Sequence, residues 1–251
     1  MNIEFVFSEF GTRMTANQPD SFTDEYRLDP TYSSVKQFFP EAKLTMYTDN
    51  RDLGKNYHDV EIRLVDIESS PFDKSNHRWG WHACDYYQVK GLLDSKADIA
   101  ISVDSDVMFV NDEVKTILPI TEKFGICVPQ NERQMVKVDG IHTRGNDGDF
   151  HIEESSNRGN ILTYDLWWMS FDTKNTRSRK WLSEFGRLMV SNPRRAPLQM
   201  SRAAWNTGIH PYAMPIQWGV GHGHVGCGNE IILHLGHQRV REYYLEGKNV
   251  S

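Results

Sequence analysis

The chain has 251 residues, 39% of them hydrophobic, a formal net charge of -6 and a sequence pI of about 5.9. This length and apolar share predict one domain with a full core, and the acidic balance argues against a nucleic-acid partner. No apolar run approaches the ~20 residues that span a bilayer. The cysteines Cys84, Cys127 and Cys227 are scattered and odd in number, which is typical of reduced thiols. The expected location is cytoplasmic, without a transmembrane segment.

In the first half of the chain, short apolar runs alternate with longer mixed segments. The short runs are predicted strands, at 3–7, 43–47, 61–65, 99–103 and 124–128. Two longer segments, 32–39 and 78–95, are predicted helices. Alternation of this kind indicates a largely parallel sheet covered by helices on both faces, with ligand sites at the carboxyl ends of its strands.

The second half begins with a polar stretch from 131 to 160, and loops of this length are usually functional or disordered. Regular structure is predicted again at 161–171, 177–190, 198–205 and 231–235. Before the last of these lies a glycine-rich run, 219–228, which predicts a mobile flap over a bound ligand. Cysteine and histidine side chains within 219–237 leave a structural zinc site as the alternative.

The sharpest motif is the pair Asp104 and Asp106, which follows the apolar run at 99–103. In extended backbone, carboxylates at i and i+2 point to one side of the strand. Two such anions repel each other unless a cation lies between them, and a hard divalent ion with oxygen ligands meets that need. A solvated Asp-Ser-Asp turn is the alternative interpretation.

Residues 90–107, KGLLDSKADIAISVDSDV, resemble the helix, strand and DxD element of glycosyltransferases with the GT-A fold. The resemblance implies a single-domain α/β protein over 1–251, built as a three-layer α/β/α sandwich with a mixed, mostly parallel central sheet. Residues 1–130 are expected to bind a nucleotide-sugar donor, and residues 131–251 to face a carbohydrate or glycoconjugate acceptor. Asp104 and Asp106 are expected to hold Mn²⁺ or Mg²⁺ against the donor diphosphate, and to be essential for catalysis.

Near the C-terminus, His234, Gly236 and Arg239 resemble the closing His-x-x-Gly-x-x-Lys element of the glycogenin-like branch. The spacing here is His-x-Gly-x-x-Arg. The resemblance implies His234 as a third metal ligand, with Gly236 and Arg239 near the donor phosphates. Imidazole together with carboxylates suits Mn²⁺. A strand-end histidine satisfied by the backbone is the alternative.

The same resemblance implies further contacts to the donor and a catalytic base. The expected donor contacts are Phe7, Ser8, Thr12, Arg13, Asp49, Lys90 and Ser105. An inverting reaction needs a carboxylate near the acceptor hydroxyl. The candidate bases are Asp165 and Asp149, together with Asp147, Glu153 and Glu154. The half expected to face the acceptor contains five aromatic residues, Tyr164, Trp167, Trp168, Trp205 and Trp218. One or two of them are expected to contact the acceptor, and core packing is the alternative for the others.

The expected activity is therefore metal-dependent transfer of a sugar from a nucleotide-diphosphate sugar to an acceptor hydroxyl. A sugar nucleotidyltransferase is one alternative, because the loop after the first strand faintly resembles the Gly-x-Gly-Thr-Arg loop of that class. A haloacid-dehalogenase-type phosphatase is another, because it also places Asp-x-Asp after an apolar strand. A nucleotide-sugar-binding protein without transfer activity is the third.

Overall fold

The structure, a computed structural model, describes residues 1–10, 28–72, 79–130, 136–137, 140–141, 164–193, 196–221, 225–245 and 247. Its strands are β1 (Ile3–Glu9), β2 (Lys43–Thr48), β3 (Val60–Leu64), β4 (Ile99–Val103), β5 (Val107–Phe109), β6 (Ile126–Pro129), β7 (Val136–Lys137), β8 (Gly140–Ile141), β9 (Trp168–Asp172), β10 (Tyr212–Met214) and β11 (Ile232–His234). Its helices are α1 (Asp29–Phe38), α2 (Trp79–Asp94), α3 (Ile117–Phe124), α4 (Thr176–Ser191), α5 (Ala196–Thr207) and α6 (Gln238–Tyr244). Among the described helices, none combines the length and apolarity needed to cross a membrane.

The central sheet has seven strands in the order β10-β6-β9-β4-β1-β2-β3. Its pairs are parallel except those of β9, which runs antiparallel to both β4 and β6. The predicted mixed, mostly parallel sheet is confirmed. Because β9 is reversed, its first residue, Trp168, pairs with Val103, the last residue of β4. The start of β9 therefore lies at the edge where the parallel strands end.

Alternating side chains of the strands fill a separate core on each face of the sheet. On β1, Phe5 and Phe7 pack with α1 residues such as Val35, whereas Val6 packs on the opposite face against α2. This period-2 burial on both faces is expected of a central parallel strand. Helices α2, α4 and α5 cover one face and α1 and α3 the other, which confirms the three-layer α/β/α sandwich.

The predicted elements of the first half match the structure with small shifts at their ends. β1 continues to Glu9, and α1 begins at Asp29, where Pro30 occupies the first turn. Proline suits that position because its missing N–H has no helical partner there. The sequence patterns do not predict the short strands β5 and β10 or the helix α3.

The polar stretch after β6 leaves and rejoins the sheet at one place. Gln130 and Tyr164, at its two ends, form an antiparallel bridge, and within it β7 pairs with β8. Both ends lie at the edge where β4 and β6 end. The candidate bases of this stretch, Asp147, Asp149, Glu153 and Glu154, lie outside the described residues.

Candidate active site

Asp104 and Asp106 lie in the tight turn that joins β4 to β5, at the carboxyl edge of the sheet. The amide of Val107 donates to the carbonyl of Asp104 at 3.2 Å and closes the turn. Both aspartates are buried, with 7% and 4% of the residue surface exposed. Burial makes their mutual repulsion costly, because the surrounding dielectric screens it less than water does.

Distant parts of the chain hold this turn in place. The hydroxyl of Thr31 on α1 donates to the Ser105 carbonyl at 2.8 Å. The Ser105 hydroxyl in turn donates to the buried carboxylate of Glu9 at the end of β1. The amide of Asp104 donates to the Trp167 carbonyl at 2.8 Å. The turn backbone is therefore fixed from both halves of the chain.

Gln88 on α2 fixes the side chain of Asp104 as well. Its amide nitrogen Nε2 donates to Asp104 Oδ1 at 2.5 Å, and Gln88 is fully buried. A hydrogen bond to an ionised carboxylate is stronger than one between neutral groups. Gln88 thereby sets the direction in which the second oxygen of Asp104 points.

His234 joins the two aspartates through the pairing of β11 with β5. His234 lies opposite Val107 in that antiparallel pair, and the Leu235 amide donates to the Asp106 carbonyl at 2.7 Å. This register brings His234 Nε2 to 3.2 Å from Asp106 Oδ1 and 3.9 Å from Asp104 Oδ2. The three residues expected to share a metal therefore lie together, and their role as ligands stays a prediction.

The three side chains fit a divalent metal ion. Each offers one ligand atom, and these atoms lie within 4.8 Å of one another. Bonds from a metal ion to oxygen or nitrogen are about 2.0–2.6 Å long, so two ligand atoms on opposite sides of the ion lie about twice that length apart. The spacing of the three atoms agrees with this distance. Two carboxylates and one imidazole are a donor set that Mn²⁺ accepts readily. In the described part of the chain, no other group of three or more His, Cys, Asp or Glu residues meets this criterion.

Gly236 keeps the space beside these ligands open. A Cβ atom at this position would lie 2.7 Å from Asp106 Oδ2 and 3.0 Å from His234 Cε1. Real Cβ atoms do not approach other heavy atoms so closely. Gly236 is exposed, so the ligand cluster reaches the surface on this side.

The expected donor contacts of the first half lie in different environments. Phe7 and Ser8 are fully buried, and the Ser8 hydroxyl donates to the Cys84 carbonyl at 2.9 Å. Ser105 is also buried, with its hydroxyl on Glu9. The roles of these three buried residues as donor contacts stay predictions. Thr12 and Arg13 lie outside the described residues, and their roles stay predictions.

Asp49 and Lys90 are placed differently from each other. Asp49 is exposed and directly follows β2, at the same edge of the sheet as the aspartate pair. Lys90 forms an exposed ion pair with Asp94, at 2.7 Å, on the surface of α2. The ammonium group of Lys90, which is expected from the sequence to contact the donor, is bound to Asp94 in this ion pair. Both donor contacts stay predictions.

Arg239 is close to His234 along the chain, whereas Asp165 is close to Trp167, whose carbonyl accepts the Asp104 amide. Asp165 is buried, and its amide donates to the Pro129 carbonyl at 3.0 Å at the edge where β6 ends. Arg239 is exposed on α6, three residues after Gly236. Their roles in catalysis and in phosphate binding stay predictions.

Near its C-terminal end, the glycine-rich run is held by hydrogen bonds to Glu230. The carboxylate of Glu230 accepts the amides of Cys227 and Gly228 at 2.7 and 3.0 Å. Burial opposes ionisation of Glu230, but hydrogen bonds from the Tyr244 hydroxyl and these amides outweigh it and lower its pKa. Residues 225–228 therefore form an anchored turn. His222 and His224 lie outside the described residues, so the flap and the zinc site stay predictions.

Most of the aromatic residues expected at the acceptor side belong to the core. Tyr164, Trp167, Trp168 and Trp218 are each at most 5% exposed, whereas Trp205 is 69% exposed on α5. The Trp168 indole N–H donates to the Trp218 carbonyl at 2.6 Å. Burial raises the pKa of the Tyr164 hydroxyl to about 12.

Sequence reasoning missed Glu9, Gln88 and the positioning contacts of Trp167. Each reaches the aspartate turn from a distant part of the chain, and Gln88 is the nearest at 16 residues from Asp104. A single Gln inside a helix has no local signature. Its placement almost two turns before the end of the helix that precedes the DxD strand is the one available signal.

No family model matches the chain, and no curated protein matches it. Solved structures do match. Mouse xyloside xylosyltransferase 1, in its apo form, matches with a TM-score of 0.56 and 10% identity, over 93% of this chain and 97% of that chain. The galactosyltransferase LgtC, in complex with donor and acceptor sugar analogs, matches with a TM-score of 0.52 and 12% identity, over 92% and 86%. The glycosyltransferase GlyE of Streptococcus pneumoniae TIGR4 matches with a TM-score of 0.54 and 10% identity, over 100% and 61%.

The structural similarity establishes the fold of this chain. At identities of 10–12% it does not establish the activity. The seven-stranded mixed sheet agrees with these neighbours, and the cluster that contains Asp104 and Asp106 is consistent with a DxD motif. The chain therefore has the GT-A fold that these glycosyltransferases share.

Proposed function

We propose that this protein is a metal-dependent glycosyltransferase that moves a sugar from a nucleotide-diphosphate sugar to a hydroxyl of a carbohydrate or glycoconjugate acceptor. The observation that carries the proposal is the cluster of Asp104, Asp106 and His234 at the carboxyl edge of a GT-A sheet. Ligands of open α/β sheets bind at that edge. Residues 1–130 would bind the donor and residues 131–251 the acceptor, with His234 reaching across from the second part.

In this proposal Asp104, Asp106 and His234 hold Mn²⁺ or Mg²⁺. When bound, the ion supplies Lewis-acid chemistry that neutralises charge on the leaving nucleoside diphosphate. Arg239, exposed on α6 close to the ligands along the chain, would bind a phosphate oxygen and stabilise the same charge. The glycine-rich run 219–228 would cover the donor and exclude water.

Asp165 is the proposed group for the acceptor side. It lies two residues before Trp167, whose carbonyl accepts the Asp104 amide, so its backbone is anchored beside the ligand turn. As a carboxylate it can accept the proton of the attacking hydroxyl. Among the candidate bases, Asp165 is the one that the described residues include.

The test is calorimetric titration of nucleoside diphosphates and their sugars, with Mn²⁺, into the wild type and the Asp104→Asn/Asp106→Asn variant. Neutral amides keep the size of the side chains and remove the negative charge that holds a cation. We expect Mn²⁺-dependent binding of one diphosphate in the wild type, weakened at least 100-fold in the variant.

Binding that survives both chelation and the double substitution would overturn the metal role of the pair. Binding without turnover across a broad panel of acceptors would favour a nucleotide-sugar-binding protein. Release of pyrophosphate from a nucleoside triphosphate would favour a sugar nucleotidyltransferase. Hydrolysis of p-nitrophenyl phosphate with Mg²⁺ would favour a phosphatase.

A further inference from the structure

His234 lacks the support that usually orients a metal-binding histidine. Such a residue commonly donates its second ring N–H to a carboxylate or carbonyl, which fixes the plane of the imidazole. The Nδ1 atom of His234 is buried and has no hydrogen-bond partner among the described residues. Something else must hold the ring with Nε2 toward the aspartates.

The indole of Trp167 lies flat against the His234 ring. The two ring centroids are 4.4 Å apart, and the planes differ by 10°. His237 closes a second side, with its ring edge-on to His234 at 4.7 Å and 72°. Rotation of the imidazole would drive it into one of these neighbours, so packing restricts the ring where a hydrogen bond does not.

Trp167 is itself firmly placed. It is 4% exposed, and the edge of its indole lies 3.5 Å from where a Cβ of Gly219 would be. Its carbonyl accepts the amide of Asp104 at 2.8 Å. One residue therefore contacts the first and third ligands of the cluster, by its main chain and by its ring.

We infer that Trp167 is a positioning residue for the metal centre, whose indole sets the plane of His234 and so aims Nε2 at the ion. The inference rests on the proposed metal-binding function. It gives Trp167 a role other than contact with the acceptor. The main-chain contact survives any substitution, so replacing the side chain isolates the effect of the ring.

In the test, Mn²⁺ alone is titrated into the purified full chain, and the concentration of free Mn²⁺ is measured by electron paramagnetic resonance. The proteins are the wild type, Trp167→Leu, Trp167→Phe, His234→Ala and the Trp167→Leu/His234→Ala double variant. We expect Trp167→Leu to weaken Mn²⁺ binding about tenfold, at the lower end for supporting residues around metal ligands. Trp167→Phe, which retains an aromatic ring for stacking, should recover most of this loss. In the His234→Ala background, Trp167→Leu should have no further effect, because the ring acts through His234.

Two controls separate this role from general damage. Trp181→Leu removes an equally buried indole from the opposite face of the sheet, and it should leave Mn²⁺ affinity unchanged. Mg²⁺ prefers oxygen ligands, so competition against Mn²⁺ should show that Trp167→Leu weakens Mg²⁺ binding less. If Trp167→Leu does not fold, the quenching of tryptophan fluorescence by Co²⁺ is compared between the wild type and Trp167→Phe. The indole stacked on His234 should account for most of the quenching, so Trp167→Phe should lose most of it.

The outcomes are distinct. A wild type that does not bind Mn²⁺ overturns the metal centre, and the proposed function with it. A wild type that binds, with equal affinity in Trp167→Leu or with equal Co²⁺ quenching in Trp167→Phe, overturns the inference and leaves the function standing. An additive loss in the double variant also overturns the inference, because the ring would then act independently of His234.

Discussion

At the scale of single residues, two glycines near the C-terminus are required for different physical reasons. Gly236 has an ordinary backbone conformation, but a Cβ there would collide with Asp106 and His234. Gly228 has φ of +82°, while no heavy atom lies within 4 Å of where its Cβ would be. At Gly236 the lack of space excludes a side chain, whereas at Gly228 the left-handed backbone conformation disfavours one.

This contrast makes a matched pair of substitutions. Gly236→Ala should weaken Mn²⁺ binding at least tenfold, because the methyl group displaces Asp106 Oδ2, and should change the unfolding free energy by less than about 1 kcal/mol. Gly228→Ala should cost roughly 1–2 kcal/mol of unfolding free energy, the strain of a left-handed residue, and leave Mn²⁺ affinity unchanged. Metal titration and urea denaturation of both variants measure the two effects. Wild-type Mn²⁺ affinity in Gly236→Ala would contradict the steric role.

The sequence alone identifies the proposed metal ligands better than the residues that hold them in place. Asp104 and Asp106 are recognisable because their spacing and the apolar strand before them are local features. His234 needed the family resemblance, since nothing near it in sequence indicates a metal. Gln88, Glu9 and Trp167 were missed because their contacts depend on how α2, β1 and β9 pack around the turn.

At the scale of elements, α2 links the central sheet to the ligand turn. Gly91 lies inside this helix, and a Cβ there would be 2.4 Å from Val6 Cγ1 and 3.0 Å from the Tyr47 ring. A glycine in a helix costs stability relative to alanine, so its place here reflects close contact with β1. Gln88, one turn earlier on α2, then reaches Asp104.

Gly91→Ala should lower the unfolding free energy by about 1–3 kcal/mol, because the extra methyl overpacks the contact between α2 and β1. It should also weaken Mn²⁺ binding, since α2 carries Gln88. The control is Gly186→Ala on α4, where the new methyl meets only Val89 Cγ1 at 3.2 Å. Alanine's better helix propensity should offset that contact, leaving stability within about 1 kcal/mol of the wild type. Urea denaturation distinguishes the two variants, and equal losses would contradict the packing argument.

The longer elements were predictable because they carry periodic or continuous apolar patterns. The predicted segments 78–95 and 177–190 correspond to α2 and α4, and 99–103 is β4. The strands β5 and β10 have three residues each, too few for a pattern. The reversed direction of β9 was also beyond sequence reasoning, since strand direction depends on which partners the chain meets.

At the scale of the whole molecule, carboxylates held in the ionised form make stability depend on pH. The carboxylates whose pKa is lowered include Glu4, Asp59, Glu61, Asp98, Glu184 and Glu230. Glu4 is the deepest buried of these. Burial opposes its ionisation, but hydrogen bonds from Ser95, Thr45 and Lys43 outweigh that effect and lower the pKa.

A lowered pKa means that the unfolded chain binds more protons than the folded one as the pH falls below the ordinary glutamate pKa of 4.5. The stabilisation from Glu4 is therefore complete above that pH and is lost as the pH falls through the folded pKa. Glu4→Gln should lower the unfolding free energy at pH 7 by roughly 1–3 kcal/mol, since its donors lose a charged acceptor. It should also flatten the dependence of stability on pH below the ordinary glutamate pKa of 4.5, as urea denaturation at stepped pH would measure.

Asp98→Asn is the control, because Asp98 pairs with Lys174 at the surface. Its effect should largely vanish in 1 M NaCl, whereas that of Glu4→Gln should persist. A Glu4→Gln protein whose acid dependence equals that of the wild type would contradict the role of this buried carboxylate.

The bridge between Gln130 and Tyr164 also bears on how such a protein can diversify. Because the chain leaves and rejoins the sheet at one point, the segment between them can be exchanged or lengthened without moving a core strand. Doubling the length of a flexible closed loop costs only about 0.6 kcal/mol, which a folded domain tolerates. Under the proposed function, exchanging this segment would change which acceptor is recognised and would leave the turn of Asp104 and Asp106 in place.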